Sequence, residues 1–133
     1  MMRSRVVLVS VEGGYELTLE ELQFGMIKNT LIYFLNPTPP RLVCRALIGV
    51  DKDELWAVVD RARIDAERAR VYWTLSLDEL HSIYAALAGA YVRSRSEEDF
   101  YIKTGYFREN VRGVVDGLTE ALKRVAETPS GQQ

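Results

Sequence analysis

The sequence LTLEEL at residues 17–22 recurs 58 positions further on as LSLDEL at residues 75–80. A second match follows in the same order. The block that begins at Gly49 recurs 56 positions further on, from Gly105, and keeps the spacing of its acidic and apolar residues. Two ordered matches at nearly equal separations indicate an internal duplication, in which each unit buries its apolar face against the other.

The domain organisation follows from this repeat. We predict two units, at about residues 5–70 and 71–127, that form a single domain, with a disordered tail at residues 128–133. Each unit has the pattern strand, helix, short helix, helix. Two like units commonly pack about a twofold axis, which would bring the strand of each unit together antiparallel. We therefore predict an α+β fold, mostly α, with a pseudo-twofold and a short antiparallel β-ribbon.

Helix starts are marked by capping boxes. The first long helix is predicted to begin where the Thr18 hydroxyl accepts the Glu21 amide, with Leu17 and Leu22 as the flanking hydrophobic staple. Boxes of the same kind occur at Asp51 with Glu54 and at Ser76 with Glu79. The first long helix should end near Leu35, because prolines follow.

The second long helix is predicted to continue well beyond residue 60. Its apolar stripe would consist of Leu55, Val58, Val59, Ala62, Ala66 and Ala69. Its outer face would carry ion pairs between residues four apart, namely Arg61 with Asp65 and Arg63 with Glu67.

Composition excludes several classes of protein. Cys44 is the only cysteine, so no internal disulfide can form and a reducing cytoplasm is expected. The net charge of −2 disfavours a nucleic-acid partner, although it does not exclude one. The apolar run Val6 to Val9 is far too short to span a membrane. His81 is the only histidine, and we predict no metal site, no cofactor and no catalytic residue.

A candidate site emerges where the two units differ in character, since matching positions serve the scaffold. At a separation of 56, three pairs of positions have a polar or charged residue in one unit and an aromatic residue in the other: Arg45 and Tyr101, Asp51 and Phe107, and Trp56 and Arg112. Phe107 takes the N-cap position of the last helix, where an aromatic ring offers no hydrogen-bond acceptor. We expect another group to compensate for that loss.

The candidate interaction residues are Tyr101, Tyr106, Phe107, Arg108, Arg112 and Trp56. Lys103, Arg108 and Arg112 would form a basic rim around these aromatic residues, a composition that is enriched at protein interfaces. These residues predict a protein partner, which includes a second copy of the chain. The alternative is that Tyr106 and Phe107 only pack onto the body of the domain.

The sequence also bears on two other functions, a DNA-binding regulator and an enzyme. Glycine followed six residues later by a buried apolar residue also occurs in helix-turn-helix motifs, at Gly49 to Leu55 and at Gly105 to Val111. This spacing leaves a DNA-binding regulator as the alternative function, although the acidic start of the second long helix would repel phosphate. An enzyme would need catalytic groups that the sequence does not cluster.

The second unit resembles small, single-unit helical proteins found in many actinobacterial genomes. In that group a pattern like LTLDEL is followed by an acidic residue and Phe, then by Gly, then by the opening of the last helix. Here the pattern is carried by residues 75–80, Asp99-Phe100, Gly105 and Glu109-Asn110-Val111. The chain departs from it at Asn110, where an acidic residue is usual, and at Pro37 to Pro40, which replace an acidic linker. The resemblance implies a bacterial, cytoplasmic accessory protein and transfers no catalytic residue.

Overall fold

The computed structural model describes residues 6–127, and within them the chain forms four strands and six helices. The strands are β1 (Val7–Val11), β2 (Gly14–Glu20), β3 (Arg63–Asp65) and β4 (Arg70–Leu75). The helices are α1 (Glu21–Phe34), α2 (Arg41–Ile48), α3 (Lys52–Asp60), α4 (Leu77–Arg93), α5 (Glu97–Thr104) and α6 (Arg108–Glu127). The prediction of an α+β, mostly helical fold is confirmed. The predicted tail at residues 128–133 lies outside the described residues.

The strands form one antiparallel sheet in the order β1-β2-β4-β3. Its central pair joins β2 to β4, with Leu17 opposite Trp73. The β1–β2 hairpin turns at Glu12 and Gly13, and Gly14 opens β2 opposite Val11. A Cβ atom on Gly14 would lie 2.5 Å from the Leu75 carbonyl oxygen, so the neighbouring strand leaves no room for a side chain there. The predicted ribbon is thus the centre of a larger sheet.

The core lies between one face of the sheet and the helices. Leu17 and Leu19 of β2 alternate with outward-facing residues and are buried with the inward-facing residues of β4. Trp73 is fully buried among them. Its indole Nε1 donates to the Val58 carbonyl of α3 at 2.8 Å, and its ring meets Phe24 of α1 edge to face, with centroids 5.3 Å apart. The sheet, α1 and α3 are therefore fixed to each other by one side chain.

The predicted capping box at Thr18 is wrong. Thr18 lies inside β2, opposite Tyr72, and the strand continues because Leu19 is buried in the sheet. The helix begins two residues later than predicted, after the N-cap Glu20, whose amide donates to Gln23 Oε1 at 2.9 Å. Leu22 is exposed on α1, so it forms no buried staple with Leu17.

With the N-cap of α1 at Glu20 rather than Thr18, corresponding positions in the two halves of the chain are separated by the same number of residues. The N-caps Glu20 and Ser76, and the C-cap glycines Gly49 and Gly105, are each 56 residues apart. The eight-residue helices α2 and α5 share that separation. A duplicated unit would produce such spacing, and the duplication itself stays a prediction.

The predicted length of the second long helix is also wrong. The capping box at Asp51 is confirmed, but α3 ends at Asp60. Residues 63–65 form β3, which pairs with β4, so the stripe positions Ala62, Ala66 and Ala69 are not helical. The strand prevails because it gives backbone partners to the outer edge of β4, which a continued helix would leave unpaired.

The ion pairs predicted along that helix are wrong for the same reason. Arg61 pairs with Glu79 of α4, with 2.6 Å between NH2 and Oε1. Arg63 lies 3.9 Å from the carboxylate of Glu16 and stacks over the ring of Tyr72. Both arginines therefore bind residues far away in sequence.

Candidate functional site

Tyr101 and Phe107 lie side by side on the surface, at the turn from α5 into α6. Their rings stack with centroids 4.7 Å apart and an interplanar angle of 19°. Tyr101 is 47% exposed and Phe107 is 51% exposed, despite the area that each ring covers on the other. We call these two residues the aromatic corner. Ile102, which follows Tyr101 in the chain, is 71% exposed.

The backbone of the corner is held by hydrogen bonds that are buried or partly buried. Gly105 ends α5 in the left-handed conformation, with φ +85°. The buried Thr104 hydroxyl donates to the Phe100 carbonyl at 2.8 Å and accepts from the Tyr106 amide at 3.0 Å. Asn29 of α1 donates to the Thr104 carbonyl at 3.0 Å. These contacts fix the angle between the helices, so the two rings are presented in one geometry.

The group that compensates for the poor cap at Phe107 is Glu97, from the first turn of α5. Its Oε2 accepts a hydrogen bond of 2.7 Å from the Arg108 amide, one of the amides that a helix start leaves unpaired. Asn110 contributes a second bond, since its Oδ1 accepts from the Phe107 amide at 3.0 Å. The ring of Phe107 is therefore free to face outward without leaving the helix start uncapped.

The side chain of Arg108 is held by contacts with residues of α4 and α5 and with the segment between them. Its guanidinium contacts Glu97 Oε1 at 3.2 Å through Nε and Ser94 Oγ at 3.2 Å through NH1, and it lies over the Tyr91 ring at 5.6 Å. It thereby ties the start of α6 to the end of α4.

The other two predicted rim cations also have acidic neighbours. Lys103 lies 3.3 Å from Asp99, and Arg112 lies 3.9 Å from Asp116. Glu98 and Glu109 are exposed and form no ion pair with any residue in the described range 6–127. Residues 97–116 contain five carboxylates and three cations, for a net charge of −2. The surroundings of the aromatic corner are therefore acidic.

The remaining two candidate residues lie away from the stacked pair. Tyr106 is half-buried, and its hydroxyl points toward α1, 3.6 Å from where a Cβ on Gly25 would lie. Trp56 is half-buried on α3, packed against the core. Within residues 6–127, no hydrogen bond, ion pair or ring contact joins Trp56 to the aromatic corner.

Other reactive groups do not gather at this site. Burial, and then the nearby carboxylate of Asp51, raise the pKa of the Cys44 thiol, which disfavours the thiolate. His81 is exposed on α4. The described part of the chain holds no group of three or more His, Cys, Asp or Glu residues that could bind a metal ion. No helix in that part is both long and apolar enough to cross a membrane.

Comparisons with protein families, with curated proteins and with solved structures give no match to this chain. Sequence reasoning missed Ile102, although the buried positions Phe100 and Thr104 leave it on the outer face of α5. It also missed the role of Glu97. In the sequence this carboxylate lies in the first turn of α5, and nothing in the spacing of residues indicates that it also caps the start of α6.

Proposed function

We propose that the protein is a non-enzymatic interaction module that binds another protein through the aromatic corner, in the manner of an adaptor or an immunity-like factor. The observation that carries the proposal is the stacked and half-exposed pair of Tyr101 and Phe107. Single exposed apolar residues are ordinary on protein surfaces, but two adjoining, half-exposed aromatic rings favour an interface. The lone cysteine and the resemblance to actinobacterial proteins support a bacterial cytoplasmic location.

The rigidity of the corner favours tight binding. Association loses free energy when side chains and loops must be ordered, and each immobilised side chain costs about 0.5–1.5 kcal/mol. Here the rings already restrain each other, and Thr104 and Glu97 already hold the turn. Most of that ordering cost is therefore met in the free protein.

The acidic surroundings of the aromatic corner favour a partner with a basic surface. Glu98 and Glu109 flank the corner without cationic partners in residues 6–127. A complementary surface would place an apolar pocket over the rings and lysine or arginine at its edge. The alternative of a DNA-binding regulator would have to use α6, where Arg108 is bound to Glu97 and Arg112 lies near Asp116.

Affinity capture from lysate of the source organism tests the proposal. The wild-type chain would be compared with a Tyr101→Ala, Phe107→Asp double variant. Leu42→Asp serves as the control, because Leu42 is an apolar residue on another helix and is 80% exposed. Thermal unfolding would establish that all three proteins are folded. A captured protein would then be purified and its affinity for each form measured directly.

We expect one partner to bind wild type and the Leu42 variant alike and to lose at least about 2 kcal/mol of binding free energy with the double variant. Equal binding by all three forms would refute the proposal. Capture of DNA alone, with an affinity that falls steeply as salt rises, would favour the DNA-binding alternative. Self-association lost in the double variant would identify the partner as a second copy.

A further inference from the structure

A cavity of about 490 Å³ lies where the end of α1, the proline-rich turn after it, the end of α4 and one side of α5 meet. Small-molecule sites in proteins typically have volumes of roughly 300–1,000 Å³. Phe34, Pro37, Pro39 and Pro40 give the lining of this cavity an apolar part. Its charged residues come from the end of α4, from α5 and from the segment between these two helices.

The charge of the cavity is opposite to that of the protein. Arg93, Arg95 and Lys103 line it together with a single carboxylate, Asp99, for a local charge of +2. The whole chain carries −2. Cations gathered in a concave, partly apolar site raise the local concentration of anions.

Asp99 forms no ion pair with Arg93 or Arg95, although the charge of nearby Arg95 helps to lower the pKa of this carboxyl. It accepts a hydrogen bond from the Tyr33 hydroxyl at 3.0 Å and lies 3.3 Å from Lys103 Nζ. Desolvation opposes its ionisation, but the hydrogen bond from Tyr33 and the charge of Lys103 prevail and lower the pKa of Asp99. Arg93 and Arg95 form no ion pair with any carboxylate in residues 6–127, and Arg93 is held over the Phe34 ring at 5.5 Å.

The start of α2 adds further donors at the rim. Pro40, which lines the cavity, is the N-cap of α2, and it has no side chain that can accept a hydrogen bond. The first-turn amides of α2 therefore lack a side-chain cap and favour an anion.

We propose that this cavity binds a small molecule that carries a phosphate or carboxylate group. Arg93 and Arg95 would bind the anionic group, because a guanidinium matches both oxyanions with paired hydrogen bonds. The prolines and Phe34 would contact the apolar part of the ligand. This site uses none of the residues of the aromatic corner, so it stands independently of the proposed interaction function.

Titration calorimetry of the full chain at low salt tests the proposal with three probes. Phenyl phosphate and benzoate supply the two anionic groups, and phenol supplies the ring without charge. The test variant is Arg93→Gln, Arg95→Gln. The control is Arg68→Gln, Lys123→Gln, which removes the same charge from exposed cations outside the cavity. Thermal unfolding checks that both double variants are folded.

We expect saturable binding of phenyl phosphate, benzoate or both by wild type and by the control, and binding at least about tenfold weaker by the Arg93, Arg95 variant. The ratio between the two anionic probes identifies the preferred group. If the test variant is unfolded, amide chemical shifts of wild type decide instead, since binding should move signals from residues 36–43 and 93–103. The proposal is overturned if neither phenyl phosphate nor benzoate binds wild type at millimolar concentration. It is also overturned if the two double variants bind these anions equally well, or if phenol binds as well as phenyl phosphate.

Discussion

Arg61 and Glu79 form a two-armed ion pair that joins the end of α3 to the start of α4. The guanidinium donates to Glu79 Oε2 at 2.9 Å through NH1 and to Oε1 at 2.6 Å through NH2. NH2 also donates to the Thr74 carbonyl at 3.0 Å. Glu79 completes the capping box of α4 by accepting from the Ser76 amide at 2.9 Å. One carboxylate thus stabilises a helix start and fixes a neighbouring helix end.

The first prediction concerns the pH dependence of stability. Hydrogen bonding from Arg61, opposed by desolvation and assisted by Ser76, lowers the pKa of Glu79 to about 2. In the unfolded chain that pKa is about 4.3. Because the folded-state pKa is the lower one, the stabilisation is complete above the unfolded-state value and is lost as pH falls from about 4.3 towards 2. Arg61 is 49% exposed, so solvent screening limits the contribution to the order of 1 kcal/mol.

Urea unfolding of wild type and Glu79→Gln between pH 7 and pH 2 measures this contribution. We expect a difference in unfolding free energy of about 1 kcal/mol at pH 7 that closes as the pH approaches 2. Glutamine can still accept from the Ser76 amide, so the difference reports the charge. If the difference in unfolding free energy between wild type and Glu79→Gln stays constant with pH, the lowered pKa of Glu79 is not its cause. Glu120→Gln, at an exposed pair with Lys123 on α6, should change stability by less than about 0.5 kcal/mol.

The second prediction concerns the cap that α5 supplies to α6. Glu97→Ala removes the acceptor of the Arg108 amide and the partner of its guanidinium, so we expect a loss of about 1–2 kcal/mol in unfolding free energy. Glu98→Ala is the matched control, because it makes the same change in the same helical turn at an exposed position. It should cost less than about 0.5 kcal/mol. Equal losses in chemical denaturation would show that Glu97 acts only within α5.

Local signals in the sequence predicted most of the helices. The boxes at Asp51 and Ser76 were predicted correctly because capping depends on residues three apart in the chain. Thr18 and Glu21 have the same spacing as a capping box, yet Thr18 belongs to β2. The strand continues there because Leu19 is buried in the sheet opposite Val71. Strand β3 was missed because a three-residue strand is stabilised by its partner, and its alternating charges also suit a helix.

The candidate site was predictable only in part. Comparison of the two units singled out Tyr101 and Phe107, and both prove to be exposed. Their stacking depends on the angle at Gly105, which hydrogen bonds from α1 and α5 determine. Pairing of Arg108 with Glu97 likewise joins residues eleven apart on two helices. The periodicity of residues along the chain predicts neither this stacking nor this ion pair, because both depend on how the helices pack.

The third prediction uses two glycines in helix interiors. Gly25→Ala in α1 should raise the unfolding free energy by about 0.5–1 kcal/mol, since alanine favours helix and the new Cβ would meet only the Tyr106 hydroxyl at 3.6 Å. Gly89→Ala in α4 should destabilise, because its Cβ would lie 2.9 Å from Cε1 of Phe34, a ring that is buried and covered by Arg93. Thermal unfolding of both variants would show opposite signs. A stabilised Gly89 variant would mean that Phe34 moves aside readily.

The fourth prediction separates the two tryptophans. Trp73→Phe removes a hydrogen bond to the Val58 carbonyl and leaves unfilled volume in the core, so it should cost about 2–3 kcal/mol. The Val58 carbonyl keeps a second donor, the Arg61 amide at 3.2 Å, which prevents a larger loss. Trp56→Phe, at a half-buried position on α3, should cost less than about 1 kcal/mol.

Urea unfolding followed by circular dichroism compares both tryptophan variants with wild type by a signal that does not depend on tryptophan fluorescence. Fluorescence then checks the assignment of burial. The Trp56→Phe protein retains only the buried indole, so its emission should lie at shorter wavelength than that of the Trp73→Phe protein and should shift to longer wavelength on unfolding. Equal stability losses, or a more exposed emission from Trp73, would contradict the central position of Trp73 between the sheet, α1 and α3.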